Sequence, residues 1–480
     1  MTSNREPHPD PVSRRRVVVI GGGMAGARLV QQLAALGAAD SAEVTVIGEE
    51  PGGPYNRVLL ADVLAGRYGP DVIALPAPDA SVRRLSGVRA VRIDRDARVV
   101  LCDDGRGVPY DSLVLATGSN PVLPPLRGLF EPDGGELPAG VHAFRTLDDC
   151  RALDDAVRPG ARAVVIGGGL LGVSAARALA RRGAQVVLAQ QGEHLMERHL
   201  DEGASGLLRG HLEALGVEVH TECRVRGLHT TRTADDPSGA ADTTGPAGQS
   251  GAADATDPPG PAHPAHPAHP AHPAARSVAA VELADGFRLD ADLVVLACGV
   301  RPRTGLARAA GLDVARGVVV DDELRTSDPR VHAIGDCAEH DGVVYGLAGA
   351  AQEQADVLAA VLAGAAGRYR GTRALTRLSL PAWTGAAPAG SDGPAAPAGS
   401  APLDLAVFGE TTPAPGDDVI HLSDATRGAY RKVVVRGDRL VGGILLGDLG
   451  TVGALARTWE GDEPLPSAPL LHLLTNDGGC

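Results

Sequence analysis

Paired cysteines are missing from this sequence. Its six cysteines, Cys102, Cys150, Cys223, Cys298, Cys337 and Cys480, are scattered, and no two form a C-x-x-C pair. That spacing signals neither a zinc site nor a cysteine-held iron–sulfur cluster, so no metal is expected. Most such cysteines read as small buried hydrophobes. Positive charge is in deficit: 45 basic against 59 acidic side chains give −14, which argues against a nucleic-acid partner. No apolar run reaches bilayer length, and no charged-then-apolar leader pattern precedes the first strand. No membrane association is expected, and the default location is cytoplasmic. The polar, Pro-rich stretch from Met1 to Pro11 reads as disordered.

At 480 residues the chain has room for two or three domains. Its organising stretch is Val17-Val18-Val19-Ile20 running into Gly21-Gly22-Gly23-Met24-Ala25-Gly26, a G-x-G-x-x-G turn. A helix from Ala27 to Leu36 follows, then a strand, Val44 to Ile47, leading to Glu49. Strand, glycine turn, helix, strand and acid in this order define a dinucleotide-binding fold. Gly21 makes the tight turn, Gly23 lets backbone approach a pyrophosphate, and Gly26 lets helix pack on strand. The helix N-terminus offers unpaired N–H groups to phosphate. Glu49 is placed to accept hydrogen bonds from an adenosine ribose, and Arg57 to donate to the pyrophosphate. Downstream, Leu113 to Leu115 reads as a buried strand that ends in Ala116-Thr117-Gly118-Ser119.

The pattern recurs. Ala163 to Ile166 leads into Gly167-Gly168-Gly169-Leu170-Leu171-Gly172, a helix to Arg182 and a strand from Gln185 to Leu188. Two such folds in one chain imply two dinucleotides brought face to face. Gln190 stands where the second acid is expected. Glutamine can bond a ribose without repelling a 2′-phosphate, which leaves NADH or NADPH open with a lean to NADH. Residues 231–276, with Pro-Ala-His repeated through His263, His266, His269 and His272, read as a solvated insertion of polyproline II type. Ala297-Cys298-Gly299 echoes the earlier Ala-Thr-Gly, and Val331 to Ile334 reads as a strand ending in Gly335-Asp336. Asp336 is either a helix N-cap or, as favoured here, an acceptor for ligand hydroxyls. After an Ala/Pro/Gly-rich loop, Ala386 to Pro402, strands at Leu403–Phe408, Tyr430–Val435 and Leu440–Leu446 and a helix at Val452–Trp459 outline a small α+β domain.

These motifs resemble the two-dinucleotide flavoprotein family that includes glutathione reductase, rubredoxin reductase and ferredoxin reductase. Within it, Glu49-Glu50-Pro51, Tyr55-Asn56-Arg57, Ala116 to Ser119, Gly299-Val300-Arg301-Pro302, Thr326 to Pro329 and Ile334 to Ala338 are most similar to the flavin-binding part of assimilatory nitrite reductase large subunits. Tyr430-Arg431-Lys432 and Gly442 to Asp448 are similar to that subunit's C-terminal addition. The resemblance implies an α/β fold: two Rossmann-like domains of the glutathione reductase type plus a small α+β C-terminal domain. Residues 14–121 and 293–368 would form an FAD-binding domain, 122–292 an NAD(P)H-binding domain, and 371–462 the C-terminal domain. FAD would be held by Gly21, Gly23, Ala25, Gly26, Glu49, Arg57, Thr117, Gly118 and Asp336. The nucleotide, NADH or NADPH, would be held by Gly167, Gly169, Leu171, Gly172 and Gln190.

The implied activity is an NAD(P)H-dependent FAD oxidoreductase. It would pass electrons to a separate protein: a nitrate or nitrite reductase subunit, a ferredoxin or a rubredoxin. The alternatives are an NADH oxidase using oxygen or quinone, and a non-catalytic flavin-binding interaction protein. Departures narrow the chemistry. Disulfide-reducing members carry cysteine after the first fold, whereas residues 49–64 contain none. Ser174 stands where many relatives have Glu beside the nicotinamide, and Asp62 where several ferredoxin-type reductases have Lys near the flavin.

Overall fold

The computed structural model describes residues 14–37, 42–130, 136–232, 276–373, 375–382, 402–447, 449, 452–465 and 474. The N-terminal stretch, the four Pro-Ala-His histidines, nearly all of the Ala386 to Pro402 loop and Cys480 lie outside these residues.

The first strand, Arg15–Ile20, buries Val17, Val18, Val19 and Ile20 in succession. A continuous apolar run of this kind suits a parallel strand covered on both faces. It lies at the centre of a five-stranded parallel sheet ordered Val331–Ala333, Ser112–Leu115, Arg15–Ile20, Ala42–Gly48, Arg83–Ser86. One face is covered by helix Met24–Ala35, which in turn packs against helix Ala348–Leu362. Arg28 and Asp356 join these helices through two hydrogen bonds of 2.6 and 2.9 Å.

The second sheet repeats the plan: Val217–His220, Gln185–Ala189, Arg162–Ile166, Leu293–Leu296, Val141–Ala143, again all parallel. Leu293–Leu296 therefore belongs to the second fold, paired with Arg162–Ile166 on one side and Val141–Ala143 on the other. The boundary expected between residues 292 and 293 falls one strand too early. A four-residue run buried throughout looks alike in either sheet, and only its long-range register assigns it.

Strands Val225–Arg232 and Arg276–Leu283 pair antiparallel and flank the insertion, so Thr231, Arg232 and Arg276 are strand residues rather than insertion. Downstream, five antiparallel strands form one sheet ordered Leu375–Leu380, Leu403–Gly409, Arg439–Gly447, Ala429–Arg436, Asp418–Asp424. Helix Val452–Gly461 packs on it through Val452, Leu455 and Trp459. Leu405, Val407, Ile444 and Leu446 on this sheet share a core with Leu208 and Leu212 of helix Glu202–Ala214 in the second fold. Asp201, the N-cap of that helix, accepts from Tyr430 Oη at 2.7 Å and from Lys432 Nζ at 2.8 Å. Among the described residues no helix is long and apolar enough to cross a membrane, and the five described cysteines are all free.

Candidate functional site

The first glycine turn is shaped by close backbone contact. Gly21 has φ +118°, and a Cβ there would lie 2.0 Å from the carbonyl oxygen of Ala116. A Cβ on Gly26 would lie 2.1 Å from the carbonyl oxygen of Gly21. Neither position has room for a side chain. Gly23 differs: the nearest atom to a Cβ there would be Arg57 Nε, 3.9 Å away. It caps helix Met24–Ala35 with no side-chain hydrogen bond. The turn is thus a glycine concavity at a helix N-terminus, open on the side where an anion would sit.

Around it gather the side chains expected from the sequence. Arg57 stands beside Gly23, lies over the Tyr55 ring, and donates to Glu50 and, at 3.1 Å, to the carbonyl of Arg145. Tyr55 donates to Glu50 at 2.8 Å, and burial raises its pKa. Glu49 follows the second strand, with its carboxylate 2.7 Å from Arg303 Nη1 and 3.7 Å from Arg89 Nε. Thr117 Oγ1 donates to the Arg303 carbonyl at 3.0 Å, and Gly118, at φ +70°, has nothing within 4 Å of its missing Cβ. Asp336 lies in the short turn Gly335–Cys337, not at the N-cap of a long helix. Helix Ala348–Leu362 is capped by Leu347 instead. A Cβ on Gly335, the residue before Asp336, would be 3.1 Å from Ala25 of the first helix. Gly21, Thr117, Gly118 and Asp336 thus follow the C-terminal ends of parallel strands, with Ala25 and Gly26 on the adjoining helix and Arg57 beside Gly23, at the end of the sheet where the cleft of an open parallel sheet binds ligands.

Two residues at this cleft were not found in the sequence. Arg145 Nη2 donates to Asp336 at 2.5 Å and to Ser119 Oγ at 2.7 Å, while Ser119 Oγ donates to Asp336 at 2.9 Å. Both charged side chains are about four-fifths buried. Arg145 comes from the second fold, just before a capping box in which Thr146 and Asp149 open helix Leu147–Ala156. The Thr-x-x-Asp spacing marks that helix start, but nothing local marks the arginine before it. Arg303, the second, follows Arg301-Pro302 and reaches back to Glu49.

The second turn repeats the first. Gly167 has φ +110°, and its Cβ would meet the Ala297 carbonyl oxygen at 2.5 Å; a Cβ on Gly172 would meet that of Gly167 at 1.7 Å. Gly169 faces open space at the N-cap of helix Leu170–Arg181, which begins with Leu170 and Leu171. Gln190 follows its strand as expected, and its Oε1 accepts from the Gly168 N–H at 2.7 Å. Ser174 bonds back to the carbonyl of Leu170 at 2.8 Å, and Asp62 pairs with Arg67 at 3.4 Å.

Both cradles suit a dinucleotide: tight glycines where backbone crosses backbone, an open one at each helix N-terminus, and a polar side chain past each second strand. Comparison with known proteins agrees. The pyridine nucleotide-disulphide oxidoreductase family matches residues 15–254 and 268–355, and the rubredoxin NAD+ reductase C-terminal domain matches 401–458. Among curated proteins, the chain is 30% identical over 442 residues to a Bacillus subtilis nitrite reductase [NAD(P)H], covering 91% of this chain and 46% of that protein. It is 31% identical to the assimilatory nitrate reductase electron transfer subunit of the same organism, covering 91% and 48%. The chain thus spans about half the length of these relatives. Among solved structures, a covalent putidaredoxin reductase–putidaredoxin complex shares the fold at TM-score 0.72 and 24% identity, covering 96% of this chain and 98% of that one.

Proposed function

Because the chain belongs to the pyridine nucleotide-disulphide oxidoreductase family, we propose that it is an NAD(P)H-dependent flavoprotein that delivers electrons to a separate redox protein. Its cofactor is FAD, with NADH or NADPH as the nucleotide. Bound FAD would supply the two-electron to one-electron chemistry between the nicotinamide and an acceptor.

The protein's part is to bind and to orient. Gly21, Gly23, Ala25 and Gly26 cradle the FAD pyrophosphate, with N–H groups of the helix N-terminus as donors and Arg57 supplying positive charge. Glu49 holds the adenosine ribose. Thr117 and Gly118 line the cofactor, and Asp336, steadied by Arg145 and Ser119, accepts from its hydroxyls. Gly167, Gly169, Leu171 and Gly172 play the corresponding part for the nicotinamide nucleotide, with Gln190 at its ribose. Arg145 joins the two folds at the cleft, so it fixes the approach of one ligand to the other, where misplacement by about 1 Å costs roughly 10²-fold in rate. No thiol takes part: residues 49–64 hold no cysteine, and burial raises the pKa of the Cys337 thiol.

The acceptor is a small redox protein or a reductase subunit of nitrate or nitrite assimilation. The match of the C-terminal domain to that of rubredoxin reductase supports the first, and the similarity to a nitrate reductase electron transfer subunit the second. The reaction is placed in the cytoplasm, where cell fractionation should find the protein. The observation that carries the proposal is the pair of glycine turns, each closed by an Ala carbonyl and open at its middle glycine. Anaerobic stopped-flow absorbance tests it. The FAD-loaded protein should bleach rapidly with NADH or NADPH, and a flavin that stays oxidised with excess of both refutes it.

A further inference from the structure

Arg177 is the most conspicuous charge that the proposed reaction does not use. It lies on helix Leu170–Arg181 and is 5% exposed. Among the described residues its only hydrogen bond runs from Nη2 to the carbonyl of Pro381, and Nε is buried without an acceptor. No carboxylate among them forms an ion pair with it. Asp62, whose charge bears on Arg177, is itself paired with Arg67 at 3.4 Å. Arg181 and Arg67 add positive charge nearby. An arginine does not shed its proton to escape burial. A buried charge without a counter-charge is strongly unfavourable.

Beside Arg177 is a cavity of about 30 Å³, walled by Ala61, Asp62, Ser174, Arg177, Leu378 and Leu380. Its walls come from three sources: the short helix Leu60–Leu64, the second glycine helix and the first strand of the C-terminal sheet. A cavity needs roughly 10–15 Å³ of such volume to hold one water. This one therefore admits a water or two, or one small anion. His211 on the adjoining helix Glu202–Ala214 also has a buried ring nitrogen, Nε2, without a partner. Burial and the charge of Arg177 hold it neutral, with its pKa at about 4. Water would satisfy the Nε donor but leave the guanidinium charge uncompensated, whereas an anion does both.

We propose that this chamber binds a small monovalent inorganic anion, held by the Arg177 guanidinium, and that the anion secures the C-terminal domain to the second dinucleotide fold. Occupancy would stabilise the junction because the cavity is walled by Arg177 of helix Leu170–Arg181 and by Ser379 of strand Leu375–Leu380, which meet only in the folded state.

Bromide is the probe, since it is small and scatters anomalously. Crystals of the FAD-loaded protein soaked in sodium bromide should show an anomalous peak within hydrogen-bond reach of Arg177 Nε. In solution, bromide should raise the thermal midpoint relative to gluconate at equal ionic strength. The rise should grow with the logarithm of bromide concentration above Kd, without a plateau, and reach roughly 2 °C at about tenfold above Kd. Arg177→Met should abolish that rise. Asp62→Asn, which removes the neighbouring negative charge, should lower the half-saturating bromide concentration several-fold. Water or a side chain in place of bromide overturns the proposal. So does a rise unchanged in Arg177→Met, or a response weakened by Asp62→Asn.

Discussion

The two glycine turns are built alike down to single hydrogen bonds. Gly21 N–H donates to Ile47 O at 2.8 Å and Gly167 N–H to Ala189 O at 2.8 Å; Ala116 N–H donates to Ile20 O at 2.8 Å and Ala297 N–H to Ile166 O at 2.9 Å. Even the edge strands match, Val331-His332-Ala333 in the first sheet and Val141-His142-Ala143 in the second. The difference lies past the second strand. Glu49 turns its carboxylate outward to two arginines, while Gln190 turns its carbonyl inward to the Gly168 amide. On the proposed function, the shared backbone cradle would serve for phosphate, and the side chain after the strand would give each fold its own nucleotide.

The largest effects are expected where a Cβ would collide with backbone. Gly26→Ala should leave the purified protein with little flavin colour. Gly172→Ala should stay yellow while flavin reduction by NADH slows roughly 100-fold. Flavin absorbance per chain and anaerobic stopped flow read the two outcomes, and the reverse pattern would exchange the assignments of the folds. Next comes the charge pair between the folds. Arg145→Met leaves the largely buried Asp336 without its cation, a loss of roughly 1–3 kcal/mol. Fluorescence of released FAD should show affinity at least about tenfold weaker.

A smaller effect concerns nucleotide choice. The loop after Gln190 carries Glu193 and Glu197, and the Glu197 carboxylate sits against Gly192. These charges disfavour a 2′-phosphate, so NADH should reduce the flavin faster than NADPH by about tenfold. Gln190→Asp should widen the gap, and faster reduction by NADPH would contradict this account of Gln190.

A pH effect tests the matched edge strands. Burial lowers the pKa of His142 and brings that of His332 from 6.5 to about 4. Each imidazole has one buried ring nitrogen without a partner. The unfolded chain then binds more protons than the folded one between those values. Stability is therefore fully present above about pH 6.5 and is lost as pH falls to about 4, by roughly 3 kcal/mol for His332. Urea unfolding of wild type and His332→Gln across this range should show a shallower acid slope in the variant.

What could be read from the sequence was local. Each glycine turn, its strands and its helix lie within about thirty consecutive residues, where spacing alone carries the signal. Leu293–Leu296 was placed in the wrong sheet because four buried aliphatic residues carry no mark of their partners. Strands Leu375–Leu380 and Asp418–Asp424 were not found, since each presents one face to solvent and mixes polar with apolar residues. Arg145 and Arg303 act on Asp336 and Glu49 across 191 and 254 residues of sequence, a relation only the fold creates.

The contact between Asp201 and Lys432 has a practical consequence. Lys432 is the only lysine in the sequence, and its side chain is 15% exposed while its ammonium is held by Asp201. Apart from the chain terminus, the molecule therefore carries a single primary amine, shielded wherever the C-terminal sheet is seated. The rate at which an amine-selective acylating reagent labels Lys432, read by mass spectrometry, is a clock for the unseating of that sheet. No dye, tag or engineered cysteine is needed to run it.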